Sequence, residues 1–288
     1  MPIADRKDEG KLPTRPLGRT GFRPTILALG GVKYNKRRDA HAAEVVRRAL
    51  DLGINYIDTA HTYEGSERKI GLVMAERRDE VFLATKSLKR DRDGMAAEIE
   101  QSLERLQTDR LDCVQIHDLA NEEQLGQVTG KDGALRAIEE FREDGTVRFV
   151  GVTGHRNPQI LVKALEVYPF DVLLVALGAM QAAVRPFYEH VVPVAWEKGV
   201  GVVGMKVMAH GWFGEVGLAE DALRFVLGLP DVTTALVGVD DVPQLEANVR
   251  VAREGNPLTE GEERHLMARV RRLYREQPDK AWFIYPEA

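Results

Sequence analysis

Residues 54–71 read INYIDTAHTYEGSERKIG. A short apolar run, Ile54 to Ile57, ends in Asp58; Tyr63 follows five residues later, and Gly65-Ser66 opens a charged segment of helical spacing. The stretch is one strand–loop–helix unit with a carboxylate at the strand tip and a phenol in the loop beyond. Whether it is one of many decides the fold.

It is one of eight. The other runs are TILALG from 25, VFLAT from 81, LDCVQI from 111, RFVGV from 148, DVLLVAL from 171, GVVGM from 201 and TTALVGV from 233. Most carry little charge, as expected of parallel strands covered on both faces. Helix-period stripes lie between them, among them Met95/Ile99/Leu103/Leu106, Leu135/Ile138/Phe141 and Leu245/Val249/Ala252. Gly53, Gly145 and Gly199 are the expected helix stops, and Asn157-Pro158 reads as an N-cap with proline at the first helical position. A repeat of about 30 residues, eight times, without a linker, predicts an α/β fold of the (β/α)8 TIM-barrel type over residues 1–288. A doubly wound open sheet is the alternative, but LGGVKYN after the first strand lacks the GxGxxG of a dinucleotide fold. RPLGRTGFRPT, before strand 1, is expected to form a hairpin plugging the barrel floor. Residues 258–273 offer an extra C-terminal helix, AWFIYPEA a tail folding back on the body, and residues 1–12 a flexible arm.

The 288 residues are 44% hydrophobic and 30% charged, with net charge −5. That balance supports a large core and argues against a nucleic-acid partner, which needs a basic face. The single cysteine, Cys113, excludes an intrachain disulfide framework. No apolar run approaches a membrane span, and the polar N-terminus lacks a signal-peptide core, so a cytoplasmic setting is expected.

In such a barrel the chemistry gathers at the C-terminal strand ends. Strand 2 ends in Asp58 with Tyr63 beyond it, strand 3 in Lys86 and strand 4 in His117. Neighbouring strands lie about 4.8 Å apart, so the four side chains can meet. A phenol, with a pKa near about 10, is a poor acid at neutral pH, and a neighbouring ammonium favours its phenolate. A carboxylate keeps that lysine charged, and a neutral histidine can orient a carbonyl. The set suits protonation of an oxygen gaining negative charge as hydride reaches an aldehyde or ketone. No His/Cys/Asp cluster has metal-ligand spacing.

With these residues in place the chain resembles the aldo-keto reductase superfamily. The matching stretches are PLGRTG, GINYIDTAHTYEGSERKIG, VFLATK, SLERLQTDRLDCVQIHD, EEFREDGTVRFVGVTGH and QLEANV, in order across residues 15–255. Asp58, Tyr63, Lys86 and His117 match the family's catalytic tetrad. The resemblance implies NADPH or NADH lying across the barrel mouth, a small-molecule carbonyl substrate, and Tyr63 as proton donor. It places Gly31, Thr153, Gly154, Met205, Lys206, Gly238, Asp240, Gln244 and Asn248 at the cofactor, with the diphosphate near the loops after strands 7 and 8 and near Lys206. Several positions depart from the family. Thr153-Gly154 stands for Ser-Asn, Leu174 and Gly178 for Gln and Asn, and Met205 for a stacking aromatic. Gly238, Asp240, Asp241 and Gln244 occupy the region where many members carry basic residues, which argues that NADH serves at least as well as NADPH. Two other functions stay open: a weakly catalytic or non-catalytic NAD(P)H-binding sensor or subunit, and a Schiff-base lyase using Lys86 or Lys206. His61 and His155 are expected to face the mouth, Trp212 and Phe213 to wall a pocket or pack, and KRDRD at 89–93 to be a solvated loop.

Overall fold

A computed structural model describes residues 10–184 and 187–281. Eight parallel strands close into a barrel in sequence order. They are β1 Leu27–Gly30, β2 Tyr56–Asp58, β3 Phe82–Ser87, β4 Leu111–Ile116, β5 Val147–Gly154, β6 Val172–Ala176, β7 Gly201–Met205 and β8 Thr234–Val237. Twelve helices are assigned among the described residues, most of them on the outside of the strands. The expected stops hold: Gly53, Gly145 and Gly199 adopt φ of 92°, 88° and 66°. Asn157 caps the helix Pro158–Val167 by accepting from the Gln159 amide.

Alternation along the strands separates two cores. Tyr56, Phe82, Ala84, Cys113, Val172, Leu174, Val203 and Met205 fill the barrel interior. Ile57, Leu83, Val114, Ile116, Leu173 and Val175 face outward into the layer shared with the helices.

The floor is closed by the expected hairpin. Thr14 and Thr25 pair antiparallel, and the Leu17 amide donates to Phe22 O at 2.9 Å. Leu17 is fully buried, a contribution of about 2 kcal/mol. Its seat needs glycine on the strand side: a Cβ at Gly201 would lie 2.5 Å from Leu17 Cδ1. Above it the rings of Phe22, Tyr56 and Phe149 pack on Phe82 with centroids 5.0, 5.0 and 5.9 Å away.

The extra helix is Glu260–Glu276, two residues later at its start than the sequence suggests, with a Thr259/Glu262 capping box. Its Leu266, Val270 and Leu273 pack with Trp212, Phe213, Ala179 and Met180. Of the expected arm, residues 1–9 lie outside the described residues, whereas Leu12 is buried in the core. In the C-terminal stretch AWFIYPEA, Ala281 is buried and the rest lies outside the described residues. No described helix is long and apolar enough to cross a membrane.

Candidate active site

The alternation that puts Phe82 and Ala84 in the barrel interior puts Lys86, two residues on, at its rim. On β2 the same rule takes Tyr56 to Asp58, and on β4 it takes Cys113 to Gln115 and His117. Asp58 and Lys86 are each 2% exposed. Lys86 Nζ donates to Asp58 Oδ1 at 2.5 Å and to Thr59 O at 2.6 Å. Gln115 Nε2 donates to Asp58 Oδ2 at 2.7 Å, so both carboxylate oxygens are engaged. Tyr63 arrives through a tight turn in which its amide donates to Ala60 O and its carbonyl accepts from Ser66 N, at 3.0 and 2.8 Å. Its ring centroid is 4.8 Å from Lys86 Nζ and 5.9 Å from that of His117, edge to face. The structure therefore brings all four residues together.

Electrostatics fixes their charge states. Burial acts to discharge Lys86, but Asp58 and a hydrogen bond with Tyr63 overcome it, and the ammonium is held above the ordinary lysine value. Burial raises the Asp58 carboxyl against the pull of Lys86 and Gln115. These two directions oppose each other in charge, and the 2.5 Å contact decides for a charged pair. Burial, then Lys86, Arg90 and Lys206, push His117 well below the ordinary histidine value, so its ring is neutral. His117 Nδ1 is buried with no hydrogen-bond partner.

The remaining mouth residues sit as follows. Thr153 is fully buried, and its hydroxyl accepts from the Asp118 amide at 3.0 Å. Gly154 leaves room for Leu161, whose Cδ2 would lie 2.9 Å from a Cβ there. Leu174 and Met205 belong to the barrel interior. Lys206 leaves β7 with φ 63° and places Nζ 2.8 Å from His210 Nε2. Burial lowers Lys206 to about 8 and His210 to about 3.

Across the mouth, Gly31 is a close-packing residue: its carbonyl accepts from Ser66 Oγ at 2.9 Å, and a Cβ would lie 2.6 Å from that oxygen. Gly238 lies beneath Lys33, with 3.2 Å between a Cβ there and Lys33 Cγ. Asp240 is not the free carboxylate that the sequence suggests. Arg37 donates to its Oδ1 at 2.5 Å, Lys33 to its Oδ2 at 3.4 Å, and His41 contacts its carbonyl at 2.7 Å. Gln244 Oε1 accepts from the Asp240 amide at 3.0 Å, and Asp241 caps the helix Val242–Glu254 that carries half-buried Asn248.

His61 does not face the mouth. Its ring lies 3.8 Å from Glu67 and 3.7 Å from Glu98, beside Arg105. His155 does border it, since Lys206, His117 and Lys86 all lower it further after burial. Trp212 and Phe213 are packing residues. KRDRD is solvated at Lys89, Asp91, Arg92 and Asp93, but Arg90 anchors on the carbonyls of His117 and Asp118, and Arg92 opens the helix Arg92–Leu106. Sequence reasoning missed Gln115, Lys33, Arg37 and His210. Gln115 was findable, two residues before His117 on one strand face. The others depend on loop conformations that no periodicity encodes.

Comparison with known proteins gives the family. The model of the aldo/keto reductase family matches residues 27–217. L-galactose dehydrogenase of Arabidopsis thaliana is 26% identical, over 94% of this chain and 97% of that one. D-threo-aldose 1-dehydrogenase of a Pseudomonas species is 28% identical over 70% of each. Among solved structures, the holo form of an aldo-keto reductase from Bacillus halodurans superposes with a TM-score of 0.76 at 25% identity, covering 91% of this chain and 96% of that one. With its closed parallel barrel and this match over most of its length, the chain belongs to the aldo/keto reductase family and is an NAD(P)-dependent oxidoreductase.

Proposed function

We propose that the chain reduces an aldehyde or ketone to an alcohol, with Tyr63 giving up the proton and Asp58, Lys86 and His117 preparing the step. The observation that carries this reading is the Lys86 ammonium, held between Asp58 at 2.5 Å and the Tyr63 ring at 4.8 Å. A reduced nicotinamide, when bound, supplies hydride to the carbonyl carbon. The mouth fits such a group: a neutral buried His117 has an orphaned ring nitrogen, and Lys33 and Arg37, sharing the single carboxylate of Asp240, leave net positive charge for a diphosphate.

Neutral His117 donates one N–H to the carbonyl oxygen and fixes its direction. As negative charge grows on that oxygen, the Tyr63 hydroxyl delivers its proton there. The phenolate left behind lies against the Lys86 ammonium, which Asp58 keeps charged, until solvent reprotonates it. Gln115 keeps Asp58 aimed at Lys86.

NADH is expected to serve at least as well as NADPH. The turn after β8 presents Asp240 and Asp241 with no cation of its own over 238–244, and Asp240 already engages Lys33 and Arg37. A hundredfold preference for NADPH in turnover refutes that choice. The main test is Tyr63→Phe, which should remove nearly all reduction while nucleotide binding, followed by fluorescence, persists. Parental rates in that variant sink the assignment.

The apolar or missing side chains at Gly154, Leu174 and Gly178 favour a second reading, a nucleotide-binding subunit with little turnover. It predicts binding without reduction of any member of an aldehyde panel. A Schiff-base lyase is disfavoured at Lys86, which is held charged. Lys206, lowered to about 8, is the better amine of the two, and borohydride trapping with a ketone tests it.

A further inference from the structure

The exit of β7 is built at a conformational cost. Lys206, Ala209 and His210 adopt φ of 63°, 46° and 58°, three non-glycine residues in the left-handed region within five positions. Such strain persists where surroundings impose it, and it clusters at functional sites. Here the turn is fastened by the Ala209 amide to Lys206 O at 3.1 Å and the Gly211 amide to Met208 O at 2.7 Å. Gly178 makes room for it, because a Cβ there would lie 2.3 Å from Lys206 O.

The result of that turn is the contact between Lys206 Nζ and His210 Nε2 at 2.8 Å. Three other cations near the mouth have carboxylates: Lys86 has Asp58, and Lys33 and Arg37 share Asp240. Lys206 has no carboxylate within 4 Å among the described residues, and its only resolved favourable charge partner is Asp118, farther off. Desolvating an ammonium without a counter-ion is unfavourable, and burial accordingly lowers Lys206 to about 8. His210 is neutral and accepts on Nε2, which assigns its proton to Nδ1. The pair also lies at the barrel mouth, because Lys206 is the first residue past the C-terminal end of β7, and its charge acts on His117 and His155 there.

We propose that Lys206 and His210 form an anion subsite for a carboxylate carried by the carbonyl substrate, so that oxo acids and aldehyde acids are preferred over neutral carbonyls. This rests on the reductase reading of the same mouth and reassigns Lys206 from the diphosphate. An arriving carboxylate supplies the counter-ion that Lys206 lacks among the described residues and forms a charge-assisted hydrogen bond with the ammonium. The diphosphate, the other anion available, has Lys33 and Arg37 on the far side.

The test compares 4-oxobutanoate with butanal, an aldehyde acid and a neutral aldehyde of equal chain length, using the full-length protein, Lys206→Met and Lys206→Arg. The parent should favour the acid by at least a hundredfold in kcat/KM. Lys206→Met should lose at least thirtyfold more on the acid than on butanal, mainly in KM, and Lys206→Arg should retain most of the preference. Nucleotide Kd, read by fluorescence, should change less than threefold in both variants. Succinate serves as an inert probe: it should raise the thermal midpoint of the parent and not that of Lys206→Met. Equal losses on both aldehydes, or weakened nucleotide binding with an unchanged acid preference, overturn the proposal in favour of a diphosphate contact. If no carbonyl is reduced, the reductase reading fails, while the succinate arm still decides whether the anion subsite exists.

Discussion

Asp58→Asn separates charge from shape at the centre of the site. The amide keeps an acceptor for Lys86 Nζ, now at 2.5 Å, removes the negative charge, and turns Oδ2 into a donor that the Gln115 amide meets by flipping its unpartnered Oε1 toward it. At that separation, with an effective dielectric of about 20, the attraction lost is on the order of 7 kcal/mol before any relaxation. Lys86 is 2% exposed and cannot recover this from water. Breaking a buried pair by removing one partner costs about 3–5 kcal/mol, and unfolding in urea should register it. The lysine answers by releasing its proton, because burial already favours the neutral amine and only Asp58 and Tyr63 oppose it. The parent keeps Lys86 charged across neutral pH. In the variant, kcat should fall by about 10²–10³, and the residual rate should be highest on the acid side and decline as pH rises. Circular dichroism checks the fold, and a pH–rate profile at saturating nucleotide reads the chemistry. An unfolding free energy within about 1 kcal/mol of the parent, together with an unchanged pH profile, refutes the charge-sharing argument.

Asp240→Asn frees Lys33 and Arg37 from the carboxylate they share. These groups are partly exposed, so stability should change by less than about 1 kcal/mol, while NADPH affinity should rise about tenfold over NADH because two cations become available to a phosphate; fluorescence titration of both nucleotides reads it. Lys206 makes a prediction about pH: its folded value, about 8, lies below the ordinary 10.5, so the unfolded chain binds the proton more tightly and stability rises with pH between those values. Lys206→Met should therefore be more stable than the parent at pH about 7 by roughly 1–3 kcal/mol, allowing for the half-buried position, and the gap should narrow as the pH rises from about 8 to 10. Urea midpoints of both proteins across that range check the sign, and a gap that widens counts against an uncompensated ammonium at 206.

The barrel was legible in the sequence because its two periods are local properties. Strands covered on both faces read as apolar runs, and the helices between them carry stripes of 3.6-residue spacing. Asp58, Lys86 and His117 could be placed on the same grounds, each being the first polar residue past a run, and Tyr63 by its fixed distance from Asp58. Gln115 was encoded too, through the two-residue alternation that aims it with Cys113 and His117 into the barrel. Other features belong to the tertiary structure. Asp240 reads as a free carboxylate until the loop after β1 delivers Lys33 and Arg37 to it from more than 200 residues away. His61 reads as a mouth residue until Glu67 and Glu98, on two outer helices, draw its ring aside. Lys206 and His210 meet only because three residues take left-handed backbone. Local pattern sets which way a strand points its side chains, since the pleat has a fixed period. The partner a loop charge finds depends on how distant segments close over it, and no spacing along the chain records that.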